Sequence, residues 1–141
     1  IREWRPTTVV THWKGSTHQD NVRTHHAVMQ GVFYAGLRRM GDALPSHQVR
    51  TVLFAENWED AGGFRPNLFC DISSVHDVWM QALSCYEIGR EQSPGFPYRD
   101  YYQCLARLRG CVAGVPYAEA FMMPEPDVTR LLDLSGGLLI P

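Results

Sequence analysis

Strand-length runs rich in β-branched residues alternate along this chain with stretches of helical period, and that alternation restricts the fold more than any other feature. Thr7-Thr8-Val9-Val10-Thr11 reads as a first strand after Pro6. A polar loop follows, and from Asp20 to about Met40 no proline interrupts a pattern that puts Val22, Met29, Val32, Phe33 and Met40 near one face. Gly41 fits a C-cap there, with Arg38 and Arg39 in the last turn, where the helix dipole favours cations. A second strand is expected from Arg50 to Ala55 and a third from Leu68 to Ile72. Ser73 or Ser74 can cap a helix from about Val75 to Ile88, and a further helix runs from about Tyr98 to Val112. Tyr117 to Met122 closes as a strand, and 124–141 receives no assignment. The expected class is α/β, a largely parallel sheet with flanking helices.

Composition removes several function classes. A net charge of −2 offers no electrostatic footing for nucleic acid or an anionic membrane. No apolar run approaches the roughly 18 residues that span a bilayer. The 45% apolar and 20% charged content is ordinary for a globular domain. Cys70, Cys85, Cys104 and Cys111 have neither CxxC nor zinc-ribbon spacing, so buried reduced thiols and a cytoplasmic setting are expected. Ile1 to Arg5 reads as the last turn of a helix stopped by Pro6. That reading leads to an expectation of roughly 90 to 130 further N-terminal residues, about half of a typical α/β domain.

Chemistry concentrates in the loop between the first strand and the long helix. Ligands of open α/β sheets bind beyond the carboxyl ends of strands, where helix N-termini present free amides. His12, His18, Asp20 and Asn21 fall there, with His25 and His26 about one turn further on. A histidine and a carboxamide can ligate a metal or donate to an oxyanion, and an aspartate can orient the histidine. The same residues equally fit a polar helix start capped by Asp20 with surface histidines. Trp13 and Lys14 fit a pocket rim or a surface loop. Trp58, in Glu56-Asn57-Trp58-Glu59-Asp60, fits a platform for a sugar face or a packed side chain below an acidic turn. Glu119 suits a structural role, and His47 and His76 suggest none.

The string Thr11-His12-Trp13 with Thr17-His18-Gln19-Asp20-Asn21-Val22-Arg23-Thr24-His25 resembles the second signature of PIG-L/LmbE-type deacetylases, a strand and loop followed by His-Pro-Asp-His. Pro66-Asn67-Leu68-Phe69-Cys70-Asp71-Ile72-Ser73 is similar to the family's late Pro…Asp-Ile-Ser segment. Ala82-Leu83-Ser84 and Tyr117-Ala118-Glu119-Ala120-Phe121 match later elements in the same order. The resemblance spans roughly residues 1 to 122 and implies the C-terminal half of one Rossmann-like domain. It implies hydrolysis of an N-acetyl group on an amino sugar or sugar conjugate by a zinc-activated water. His18 then matches the histidine that stabilises the oxyanion or protonates the leaving amine, and Asp20 its supporting aspartate. Asn21 stands where the family has a third zinc ligand, a histidine. A carboxamide oxygen is a poorer zinc donor than imidazole, so another divalent metal is also admitted. The family's His-Pro-Asp-Asp motif is absent, and the resemblance assigns it to a missing N-terminal segment.

Asn21 equally suits a non-catalytic sugar-binding or scaffolding homologue with a decayed metal site. His25, a third way to supply the ligand, lies about 6 Å further along the helix axis. Phe96, Tyr98, Tyr101 and Tyr102 form an aromatic cluster that fits either a homo-oligomer contact or a loop anchor.

Overall fold

The chain, seen in a computed structural model, is described over residues 1–38, 44–60, 62–87 and 95–124, with the backbone of two short strands beyond. One sheet has the order β1-β2-β4-β3, made of β1 (Thr8–His12), β2 (Thr51–Ala55), β3 (Leu68–Asp71) and β4 (Ala118–Met122). Helix α1 (Gln19–Gly36) follows β1, and α2 (His76–Ser84) and α3 (Tyr98–Ala113) separate β3 from β4. In the unassigned stretch 124–141, β5 (Leu131–Leu132) pairs antiparallel with β6 (Leu138–Leu139). Among the described residues no helix is long and apolar enough to cross a membrane.

The α/β class holds, but the sheet is mixed rather than largely parallel. Only β1 and β2 run parallel in it; β4 is antiparallel to both of its neighbours. The reason lies between β3 and β4. A single crossover helix carries the chain back to start a parallel strand. Here two helices intervene, and the excursion that leaves after Asp71 returns beside it, where Asp71 pairs with Ala118 and the Ile72 amide donates to Tyr117. β4 must therefore run the other way.

Helix α1 ends at Gly36, a turn before the expected stop, and the proposed Gly41 cap lies outside the described residues. Arg2 accounts for the early end. Its guanidinium donates to the carbonyls of Tyr34 at 3.0 Å, Ala35 at 3.2 Å and Leu37 at 2.7 Å, the groups a helix terminus leaves unpaired. The Arg5 amide bonds the Ile1 carbonyl at 2.8 Å, so the first five residues do form one closed turn. Helix α2 is capped by neither Ser73 nor Ser74: it starts after Val75 without a side-chain cap. Ser73 instead bonds Asp71 and the Tyr117 backbone, and its two bonds hold the Asp71 carboxyl below its ordinary range. The four cysteines are free and exposed, not buried.

The core is built from small residues around Phe54: Ala35, Ala106, Ala118 and Ala120 are buried with Ile72 and Met80. Small side chains let α3 lie close on β4, and Gly110 takes this furthest. A Cβ there would meet the backbone oxygens of Pro116 at 2.6 Å and Val115 at 2.7 Å. Gly114, at φ 75°, turns the chain back across that point. Gly110→Ala should cost about 1–3 kcal/mol, since neither oxygen can yield without moving the turn. Urea melts would measure it, and an unchanged midpoint would show that the turn is not packed on α3.

Candidate functional site

Because β1 and β2 are parallel, with His12 opposite Ala55, both strands release their chains at the same sheet edge. The loop after β1 and the acidic segment after β2 therefore meet. The Thr17 amide donates to the Glu59 carbonyl at 2.8 Å and the Gly62 amide to Gly15 at 3.2 Å. Trp13 Nε1 donates to the Gly62 carbonyl at 2.6 Å. Gly15 permits this clasp: a Cβ there would lie 2.1 Å from the Gly62 oxygen and 2.6 Å from Trp13 Nε1.

At the start of α1 the N-cap is His18, not Asp20. Its Nδ1 accepts the Asp20 amide at 3.2 Å, in an extended backbone conformation that suits a cap. Accepting at Nδ1 puts the proton of a neutral ring on Nε2, which leaves an outward N–H donor. The Asp20 carboxylate is exposed and pairs with Arg23 at 3.2 Å. Asn21 turns inward. Its Nδ2 donates to Ser16 Oγ and to Glu59 Oε2, each at 3.1 Å. Ser16 is buried and also accepts the His18 amide at 3.2 Å, so it positions both residues.

A polar chain continues from Glu59 across the acidic segment. Asn57 Nδ2 lies 3.5 Å from Glu59, and its Oδ1 accepts the Tyr102 hydroxyl at 3.0 Å. Burial pushes the Tyr102 hydroxyl up to about 12, so it stays a neutral donor. Behind it, the Arg109 guanidinium holds Glu56 through two bonds, one of 2.8 Å from Nε. Trp79 Nε1 donates to Glu119 at 2.7 Å, which gives Glu119 its structural role. Asp60 accepts the Asn57 amide at 2.9 Å through Oδ2, while its buried Oδ1 has no partner among the described residues. Burial is the largest influence on that carboxyl and raises it above 3.8, against the Asn57 bond and the nearby His12.

Asp60 gives a pH prediction with a definite sign. A raised folded-state value means that the charged form is less welcome in the fold than in the unfolded chain. The penalty is complete above the folded value and disappears below 3.8. Asp60→Asn can still accept the Asn57 amide, so it should stabilise the protein at pH 7 and make no difference near pH 3. Thermal melts at both values would show this, and equal melting at pH 7 would mean that Asp60 carries no such penalty.

The other expected site residues separate. Trp13 and Lys14 sit together, Lys14 Nζ lying 5.4 Å from the Trp13 ring centroid. Trp58 does not join them. It stacks on Phe96 at 4.6 Å, with Tyr98 edge-on, so the acidic segment packs against the residues that open α3. His25 is buried, bonded through Nδ1 to the His12 carbonyl at 2.8 Å and packed on Phe54, and is thereby committed to the core. His76 is also buried, stacked on Tyr117 at 3.7 Å. Ser16 was not singled out in the sequence, and Glu59 and Tyr102 only as members of the acidic segment and the aromatic cluster. Ser16 alone left a local signal, a hydroxyl two residues before a helix cap.

For zinc, the described residues bring no complete donor set together. Among the described residues no three His, Cys, Asp or Glu side chains gather at a point. At the position matched to a ligand, Asn21 spends its amide nitrogen on Ser16 and Glu59, leaving one carboxamide oxygen, where zinc takes three or four protein donors.

No family model matches the chain. Several solved structures share its fold, three of them as follows. A conserved protein from Thermus thermophilus is 26% identical, with a TM-score of 0.75 over 90% of this chain and 55% of its own. GalB, the 4-carboxy-2-hydroxymuconate hydratase of Pseudomonas putida, is 24% identical, with a TM-score of 0.76 over 94% and 57%. The N,N'-diacetylchitobiose deacetylase of Pyrococcus horikoshii is 18% identical, with a TM-score of 0.65 over 90% and 51%. The chain thus spans little more than half the length of each.

Proposed function

We propose that this chain forms one wall of a hydrolase site that removes an N-acetyl group from an amino sugar or sugar conjugate, as a PIG-L/LmbE-type deacetylase. One observation carries the reading: His18 caps α1 beyond the β1 carboxyl end with Nε2 left as an outward donor. An acetamide carbonyl set against that N–H would have its developing oxyanion stabilised at the N-terminus of an 18-residue helix. As water adds to the carbonyl carbon and the C–N bond breaks, the water's protons pass through solvent to the departing nitrogen, giving acetate and the amine, while the neutral ring keeps its Nε2 proton on the oxyanion. Ser16 and Glu59 fix Asn21 beside this point, and Trp13 with Lys14 offers an apolar face and a cation to the rest of the substrate. Two fold relatives bear the names of a deacetylase and a hydratase, and both reactions add water. Zinc enters this reading through the motif resemblance alone.

Asn21 favours a second reading, a sugar-binding or scaffolding homologue with a decayed metal site. Acetate release from N-acetylated amino sugars by the native protein, with bound metal measured in parallel, separates the two. Release with stoichiometric zinc supports the hydrolase; neither metal nor release supports the binder. Asn21→His should tighten zinc binding in competition with a chelator by restoring an imidazole donor. Unchanged or weaker affinity would mean that position 21 does not face the metal.

A further inference from the structure

A groove of about 450 Å³ lies beside Trp13, between α1 and the β2–β4 part of the sheet. Its lining is of two kinds. Trp13, Met29, Phe54 and Met122 supply aromatic faces and thioethers, and Lys14 and Arg65 supply positive charge, with no carboxylate among the described lining residues. Among the described residues neither cation pairs with a carboxylate.

The walls are held in place without a ligand. Trp13 is fixed by its Nε1 bond to Gly62 and packs on Phe54 at 5.3 Å. Asn67 pins the Met123 backbone from both sides, Nδ2 to the carbonyl at 3.0 Å and Oδ1 from the amide at 2.8 Å. The Arg65 amide meets Met122 Sδ at 3.3 Å, which ties the cationic rim to the apolar floor. A preformed apolar groove with a few convergent polar groups is the usual form of a small-molecule site. Aromatic faces and methionine sulfur suit a flat apolar body, and unpaired cations at its edge favour a negative head.

We propose that this groove binds an amphiphilic organic anion, its flat apolar body on Trp13, Phe54 and the two methionines and its carboxylate or phosphate at the Lys14–Arg65 rim. The groove shares Trp13 and Lys14 with the hydrolase reading but does not depend on it, because its test measures binding without turnover. The probe is 2-naphthoate, titrated calorimetrically into the native protein, with uncharged 2-naphthol as the control. Naphthoate should bind at least tenfold more tightly than naphthol, and added salt should narrow the gap. Lys14→Gln with Arg65→Gln should weaken naphthoate about tenfold and leave naphthol unchanged, since both exposed cations act by charge alone. Met29→Trp, which fills the groove, should weaken both probes. Equal affinity for the two probes, indifference of naphthoate to the glutamine pair, or no naphthoate binding at millimolar concentration would each overturn the proposal.

Discussion

Replacing His18 by alanine is expected to lower acetate release by about 10²–10³-fold, the range typical of losing one oxyanion donor. Substrate affinity should change little, because the interaction forms mainly in the transition state. His18 is also the cap of α1, so the same substitution should remove roughly 0.5–2 kcal/mol of stability. A second variant separates the two effects. Asparagine is a good N-cap that can accept the Asp20 amide but places no donor where Nε2 lies. His18→Asn should therefore restore the melting midpoint and still lose activity. Asp20→Asn should be far milder, because its carboxylate is engaged with Arg23 in solvent. The measurements are steady-state acetate release, urea melts and metal content. Loss of metal in His18→Ala would make His18 a ligand. Unchanged turnover in both His18 variants would remove His18 from the reaction and place the oxyanion donor elsewhere.

The largest loss of stability is expected at Arg109. Its guanidinium holds Glu56 through two bonds, and the two side chains are only 20% and 12% exposed. Removing one partner of so sheltered a pair leaves the other as an uncompensated charge, which costs about 3 kcal/mol. Arg109→Ala should lose that amount in urea unfolding. The double variant Glu56→Leu with Arg109→Met should recover most of it, since apolar replacements need no partner. A loss below about 0.5 kcal/mol in the single variant would show that solvent screens the pair as it does at a surface. The pair lies one residue from Asn57, which Tyr102 fixes. Arg109→Ala should therefore also loosen the segment that holds Glu59 against Asn21.

Local patterns carried much of the fold. The β-branched runs at 7–11 and 50–55 became β1 and β2 within a residue, and the helix expected from Tyr98 became α3. Such periodicity is written in consecutive residues, so it survives without knowledge of the rest of the chain. The sequence likewise marked the loop from His12 to Asn21, because helix-start chemistry is local. It could not say which residue caps the helix. Asp20 and His18 are both able, and the cap went to the ring whose Nδ1 reached the Asp20 amide.

What only the tertiary structure decided depends on contacts between distant segments. The end of α1 was decided by Arg2, more than 30 residues away, whose guanidinium took carbonyls that another turn would have used. The direction of β4 was decided by the return of two helices to the edge they left. The fate of Trp58 was decided by Phe96, and the company of Asn21 by Glu59, a residue brought near because β1 and β2 are parallel. The sequence by itself determined which residues can form strands and helices and which can do chemistry at a helix start. Pairing register, strand direction and the partner of each polar group were left to folding, because they are settled by desolvation and packing between segments that share no local pattern.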